Sequence, residues 1–214
     1  MHLATFVILG ALLRLHAVAL RTAPWEDEER FGRYQEAWKV LNQPINTTYF
    51  LAKSTYPRTY LWHRTSACVR LRAVRVFESN KSAIFELKYK DVDDDVLRLS
   101  SPYTRRGTAK SDTYNITLQA TRAFPYQTIN NTISFNPKVK GRGFFGSVIF
   151  TNGASCHLIS TRYEITHRGC ELWVSEKRIE KIPSCCLFMY DYICPKAPEI
   201  IVYNKTICSA ERLR

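Results

Sequence analysis

Between Thr47 and Ser175 one pattern recurs eight times: a short run of alternating apolar and polar residues, rich in aromatic and β-branched side chains, bounded by turn formers. The runs are 47–56, 68–77, 83–90, one resuming at Tyr114, one around Ile133, then 142–151, 156–163 and 170–175. The cleanest sets Ala83, Phe85, Leu87 and Tyr89 against Ile84, Glu86, Lys88 and Lys90. In 68–77 the phase slips near Ala73: Val69 and Leu71 share one face, Val74 and Val76 the other, which a β-bulge accounts for. Gly143 and Gly146 relieve the run 142–151, and Asn152-Gly153 turns it into its hairpin partner. No phosphate loop or glycine-rich dinucleotide turn interrupts the series. Eight strands at hairpin spacing predict an all-β, eight-stranded antiparallel up-and-down barrel, with a β-sandwich as the alternative. A barrel of that size is just wide enough for one small ligand, so the fold already points to binding.

A helix is expected on either side of the strands. Phe31, Tyr34, Trp38 and Leu41 form one apolar stripe of a short N-terminal helix that Pro44 ends, with Trp38 as a barrel-closing core residue. The acidic run 26–29 before it reads as a solvated arm or as negative charge at a helix start. Four of the seven cysteines lie between Cys170 and Cys194. There Cys170, Leu172 and Val174 alternate with Glu171, Trp173 and Ser175, which sets a carboxylate beside a tryptophan on one strand face. Ser184, after Ile182-Pro183, is expected to cap a C-terminal helix carrying Leu187, Tyr190 and Cys194 at helical spacing.

Residues 1–19 hold an apolar block from Leu3 to Leu13 and end in Ala17-Val18-Ala19, a secretory signal-peptide pattern, which leaves 20–214 as a single domain. The block's eleven residues fall short of a membrane span, so no anchor is expected and the chain is read as extracellular. In that compartment Cys68, Cys156, Cys170, Cys185, Cys186, Cys194 and Cys208 read as disulfide formers. There is no CxxC pair, and the acidic turn 91–95 lacks the glycine and distal glutamate of a calcium loop, so neither metal nor other cofactor is expected. Five N-glycosylation sequons, at Asn46, Asn80, Asn115, Asn130 and Asn204, fit the same route. A glycosylated asparagine faces solvent. Asn115 therefore turns Ile116, Leu118 and Ala120 inward, and Asn130 turns Ile129, Ile133 and Phe135 inward. His63, His157 and His167 read as surface or loop residues, and no serine or cysteine arrangement beside them suggests an enzyme.

The net charge of +12 falls only to +11 when 1–19, with its single Arg14, is removed. Between Val96 and Tyr163 nine lysines and arginines face Asp112 alone, and Asp112 is assigned to the basic loop before the Tyr114 strand. Such a field favours an acidic glycan, an anionic lipid surface or a carboxylate ligand. Nucleic acid is not an expected partner, since no recognition module is present.

Glu36-Ala37-Trp38-Lys39, Tyr49-Phe50-Leu51-Ala52-Lys53 through Tyr56, Cys68-Val69, Cys170-Glu171-Leu172-Trp173-Val174, Ile182-Pro183-Ser184-Cys185-Cys186-Leu187 and Tyr203-Asn204-Lys205 with Cys208 together resemble the tick salivary lipocalins, specifically the tick histamine-binding proteins. The pieces cover most of the mature chain in the family's order. The resemblance implies a monomeric lipocalin barrel secreted into the bite, which sequesters a small host mediator and counters host defence. Tyr56, Trp62 and Glu171 match pocket residues of that family, and Trp173 adjoins them. Carboxylates in a low-dielectric barrel would hold an ammonium while aromatic rings clasp the rest of a histamine or serotonin. The match departs at Thr59, where histamine binders place an aspartate, and no acid between Tyr114 and Phe124 replaces the second pocket carboxylate, which predicts weaker amine binding. Two alternatives follow from the charge: an anionic lipid mediator (leukotriene or fatty acid) held by an inward arginine, or a host defence protein such as a complement component held by the barrel surface. By resemblance Cys68 joins Cys208 and Cys156 joins Cys186. Cys170 with Cys194 is the third expected pair, and Cys185 is left over.

Overall fold

The alternation that organises the sequence closes into one sheet. The structure, a computed structural model, describes residues 23–56, 66–91, 111–139, 142–162, 168–194 and 199–209. The signal-peptide segment, Thr59, Trp62, His63 and His167 lie outside them. The strands are β1 (Thr48–Ser54), β2 (Ser66–Phe77), β3 (Ser82–Asp91), β4 (Ser111–Thr121), β5 (Thr132–Val139), β6 (Arg142–Thr151), β7 (Cys156–Arg162), β8 (Arg168–Ser175) and a short β9 (Ile200–Ile201) that the sequence reading did not anticipate. Each of β2 to β8 pairs antiparallel with the next. β1 then pairs with β8 (Tyr49 opposite Ser175, Ser54 opposite Glu171) and with β2 (Thr48 opposite Arg72, Phe50 opposite Arg70), closing an eight-stranded barrel. The sandwich alternative is thereby set aside. β9 lies along the other half of β1, with Lys53 opposite Ile201.

The strand patterns fold as their periods dictate. Ala83, Phe85, Leu87 and Tyr89 are buried in the lumen, and the β2–β3 register slips between Ala73 and Arg75, the bulge expected from the phase change. Gly146 is required by close packing of β6 on β7: a Cβ there would lie 2.3 Å from Ile159 Cγ2 and 2.9 Å from the Ser160 carbonyl. Gly153 takes φ +79°, and Asn152 Oδ1 accepts from the amides of Ala154, Ser155 and Cys156, which fixes the β6–β7 hairpin.

Two apolar layers share the wall. The lumen core runs from Trp38 and Leu41 through Phe85, Leu118, Ile133 and Trp173. A second cluster lies outside the barrel, where Leu158, Leu172 and Val174 meet Cys186 and Tyr190 of helix α3 (Ser184–Ile193). This is why the β8 face opposite Glu171 and Trp173 is also apolar. All three expected disulfides are present, Cys68–Cys208, Cys156–Cys186 and Cys170–Cys194, and Cys185 is free and exposed. They tie α3 and the terminal helix α4 (Lys205–Ser209) to β7, β8 and β2. Pro183 sits at the N-cap of α3 and no side chain caps it, so Ser184 is the first helical residue and not the cap. Cys194, preceding Pro195, is extended at ψ 141° and ends the helix.

The N-terminal stripe is not one helix. It breaks into α1 (Glu28–Phe31), a 3-10 turn (Gly32–Tyr34) and α2 (Ala37–Leu41). Trp38 and Leu41 are buried as expected, but Tyr34 is exposed and Gln35 is buried in its place. The break follows from hydrogen bonding: Gln35 Nε2 donates to the carbonyls of Trp25 (2.8 Å) and Ile149 (2.9 Å), and its Oε1 accepts from Tyr126 OH. The acidic run has specific tasks. Asp27 Oδ1 caps α1 by accepting from the Arg30 amide. The Glu28 carboxylate accepts from the Thr128 hydroxyl and from the amides of Gln127, Thr128 and Ile129, at 2.6 to 2.8 Å. These donors, led by the Thr128 hydroxyl, pull Glu28 from 4.5 down to about 2. Lys81 Nζ stands 4.9 Å over the Trp38 ring, Ala37 donates to the Asn130 carbonyl, and Gln43 Nε2 to that of Gly153; this end of the barrel is sealed.

Two further expectations need correction. Asp112 lies within β4, opposite Tyr89, and not in a loop, because the strand begins at Ser111. Asn115 faces out from β4 with Ile116, Leu118 and Ala120 inward, whereas Asn130 precedes β5 and is half-buried, as is Ile129. Ile133 and Phe135 do face the lumen.

Candidate functional site

Parity on β7 and β8 decides what enters the lumen. Cys156 and Cys170 point outward to bond with α3 and its C-cap, so the residues following them, His157 and Glu171, point inward. Glu171 pairs with Ile159 and Ser54; Trp173, one inward layer deeper, pairs with His157 and Leu51. Glu171 is 4% exposed. Its Oε2 accepts from Trp173 Nε1 at 2.9 Å and its Oε1 from Tyr56 OH, which also meets Thr161 Oγ1. Tyr56 reaches this point because the chain beyond β1 is tied down locally. Ser54 Oγ donates to the Tyr56 carbonyl, Thr55 donates from its amide to the Cys170 carbonyl, and Thr55 Oγ1 accepts from the Cys170 amide.

The electrostatics of this cluster are one-sided. Among the described residues no cation touches the Glu171 carboxylate, and no lysine or arginine whose side chain is described is fully buried. Burial raises the Glu171 pKa above 4.5, and the bonds from Tyr56 and Trp173 offset part of that rise. A desolvated carboxylate with two aromatic donors and no counter-ion is an acceptor for a ligand cation.

Below Trp173, toward the sealed end, lies a small cavity lined by Leu41, Tyr49, Phe85, Ile133, His157 and Trp173, with room for water-sized occupants over about 30 Å³. His157 is 2% exposed, contrary to the surface or loop position expected for it. Its ring lies 4.4 Å from that of Tyr49, and its Nδ1 is 2.7 Å from Thr151 Oγ1. Burial lowers its pKa from 6.5 to about 3, so it is neutral at physiological pH.

A family description, tick histamine binding protein, matches residues 25–209. The chain belongs to the tick histamine-binding protein family. The male-specific histamine-binding salivary protein of Rhipicephalus appendiculatus is 29% identical to it over 209 residues, 94% of either chain. Among solved structures, japanin from the same tick, bound to cholesterol, aligns with a TM-score of 0.48 at 16% identity over 75% of this chain and 95% of its own. A serotonin complex of AM182 aligns with 0.49 at 18% identity over 79% and 90%.

Of the pocket residues expected in this member of the family, Tyr56, Glu171 and Trp173 meet in one hydrogen-bonded cluster, and Trp62 lies outside the described residues. Sequence reading missed His157, Thr151 and Thr161. The disulfide parity that turned Glu171 inward held the signal for His157 as well: a residue next to an outward half-cystine on a barrel strand faces the lumen. Among the described residues no cluster of three or more histidines, cysteines or acids could hold a metal ion.

Proposed function

We propose that this chain is a secreted salivary lipocalin that sequesters a biogenic amine, histamine or serotonin, with Glu171 pairing the ammonium and Tyr56 and Trp173 orienting the carboxylate. The observation that carries the reading is the buried Glu171, hydrogen-bonded on both oxygens and without a cation among the described residues. An ammonium supplies the missing charge. Family membership and the relative named for histamine binding support the same ligand class. The signal-peptide pattern of 1–19 and the three disulfides support secretion. With an acid in the lumen and no fully buried lysine or arginine among the residues whose side chains are described, the site weighs against an anionic lipid. Titration calorimetry of the glycosylated mature protein against histamine, serotonin and a leukotriene tests the reading. Amine binding that disappears in Glu171→Gln supports it, and tight leukotriene binding without an amine signal overturns it.

A further inference from the structure

His157 poses a hydrogen-bonding problem that the amine site does not solve. Its Nε2 is buried without a partner among the described residues, while the ring lines the cavity beneath Trp173. The neighbouring bonds bear on which nitrogen carries the proton. Thr151 Oγ1 already accepts from the Gly153 amide at 2.9 Å, and in the tautomer where its own proton goes to His157 Nδ1 the ring proton resides on Nε2. A buried N–H with nothing to receive it is costly, and a partner that supplies an acceptor gains selectively over one that does not. The low pKa keeps the ring uncharged, so the acceptor need not be an anion. The other polar side chains lining the cavity are engaged: Tyr49 OH donates within reach of Gln43 Oε1 and the Ala154 carbonyl, both at 2.9 Å, and Trp173 Nε1 donates to Glu171.

We infer that the sealed end of the lumen is a specificity subsite, in which His157 Nε2–H donates to a neutral oxygen carried by the ligand at the end remote from its ammonium. The inference rests on the proposed amine site for the position of the charged end. The free space of about 30 Å³ admits a hydroxyl-sized tip and not a second ring system. The ligand class is therefore an aromatic amine with a small oxygen substituent on its ring.

Two probe pairs that differ only in a ring hydroxyl separate the subsite from the amine site: serotonin with tryptamine, and 5-hydroxyindole with indole, which lack the amine arm. Calorimetry on the wild-type mature protein should show the hydroxylated member binding about tenfold tighter, with the ratio collapsing in His157→Phe. Ring ¹⁵N NMR on the wild type reads the same contact without a variant, as a shift of the His157 Nε2–H signal on adding the hydroxylated probe alone. Equal binding within both pairs, as when a water molecule already satisfies Nε2, overturns the subsite and leaves the amine reading standing. A hydroxyl preference with amines binding no tighter than neutral indoles supports the subsite and overturns the amine reading. No binding of any of the four overturns both.

Discussion

Replacing Glu171 with glutamine should move stability and binding in opposite directions. The side chain keeps its shape, and the network can be satisfied again: the amide oxygen accepts from Trp173 Nε1, and the amide nitrogen donates to Tyr56 OH, which turns its proton to Thr161 Oγ1. The buried charge disappears. Because the folded pKa of Glu171 lies above 4.5, its ionisation penalises the fold as pH rises from about 4.5 through the folded value, and below 4.5 there is no penalty to remove. The variant should therefore match wild type in acid and become more stable as pH rises. A gain of about 1 kcal/mol corresponds to about 2–4 °C in Tm for a chain of this size. Amine affinity should fall by about 2–5 kcal/mol, roughly 30-fold to a few thousand-fold, since an ammonium would be left without its partner. In wild type that affinity should itself weaken as pH drops through the raised pKa. Differential scanning fluorimetry from pH 4 to 9 and calorimetry at pH 7 are the assays. A variant that is less stable at pH 8 than at pH 4 relative to wild type, or that binds amine as tightly as wild type, refutes the reasoning.

Removing the Cys68–Cys208 bridge as a double alanine variant opens a loop with a sequence separation of 140 residues, which the chain-entropy model values at about 5 kcal/mol; Tm should fall by roughly 10–20 °C, and an unchanged Tm would count against that bridge. Glu28, depressed to about 2, contributes stability above pH 4.5 that is lost as pH falls toward 2, so Glu28→Gln should flatten the acid limb of a Tm-against-pH curve, and an identical limb would dissociate it from the loop at 127–129. Peptide mapping should find glycan on the exposed Asn46, Asn80, Asn115 and Asn204 and lower occupancy at half-buried Asn130; full occupancy at Asn130 would contradict the packing against α2.

The barrel was readable because β3, β4 and β8 each keep one strict period, and because the phase slip at Ala73 marks a bulge that returns Val76 to the core, although Val74 at the bulge is left exposed. The N-terminal segment was misread for a related reason. A spacing of three and four describes a stripe, but the buried Gln35 finds carbonyls on Trp25 and Ile149, distant partners that no local pattern encodes, and they outweigh helical continuity. β9 was missed because two isoleucines carry no period; it exists only because β1 offers an open edge there. At the site, Glu171 and Trp173 followed from alternation, whereas the meeting of Tyr56 with Glu171 depends on a turn set by Ser54 and Thr55. His157 was legible in principle, by counting from Cys156.

The seam of the barrel also sets the order in which the chain can fold. β2 through β8 join nearest neighbours, so each hairpin can form as it leaves the ribosome. β1 joins β2 over Thr48–Phe50, but its other edge must wait: Tyr49 for Ser175, as Cys68 of β2 must wait for Cys208. Until β8 emerges, the β1 edge that it will cover stays open, and Cys68 is a thiol in the company of Cys156 and Cys170. Contacts of such long range make closure the slow step. The strand that completes the wall is the same one that brings Glu171 and Trp173 into the lumen, so barrel and site are finished together.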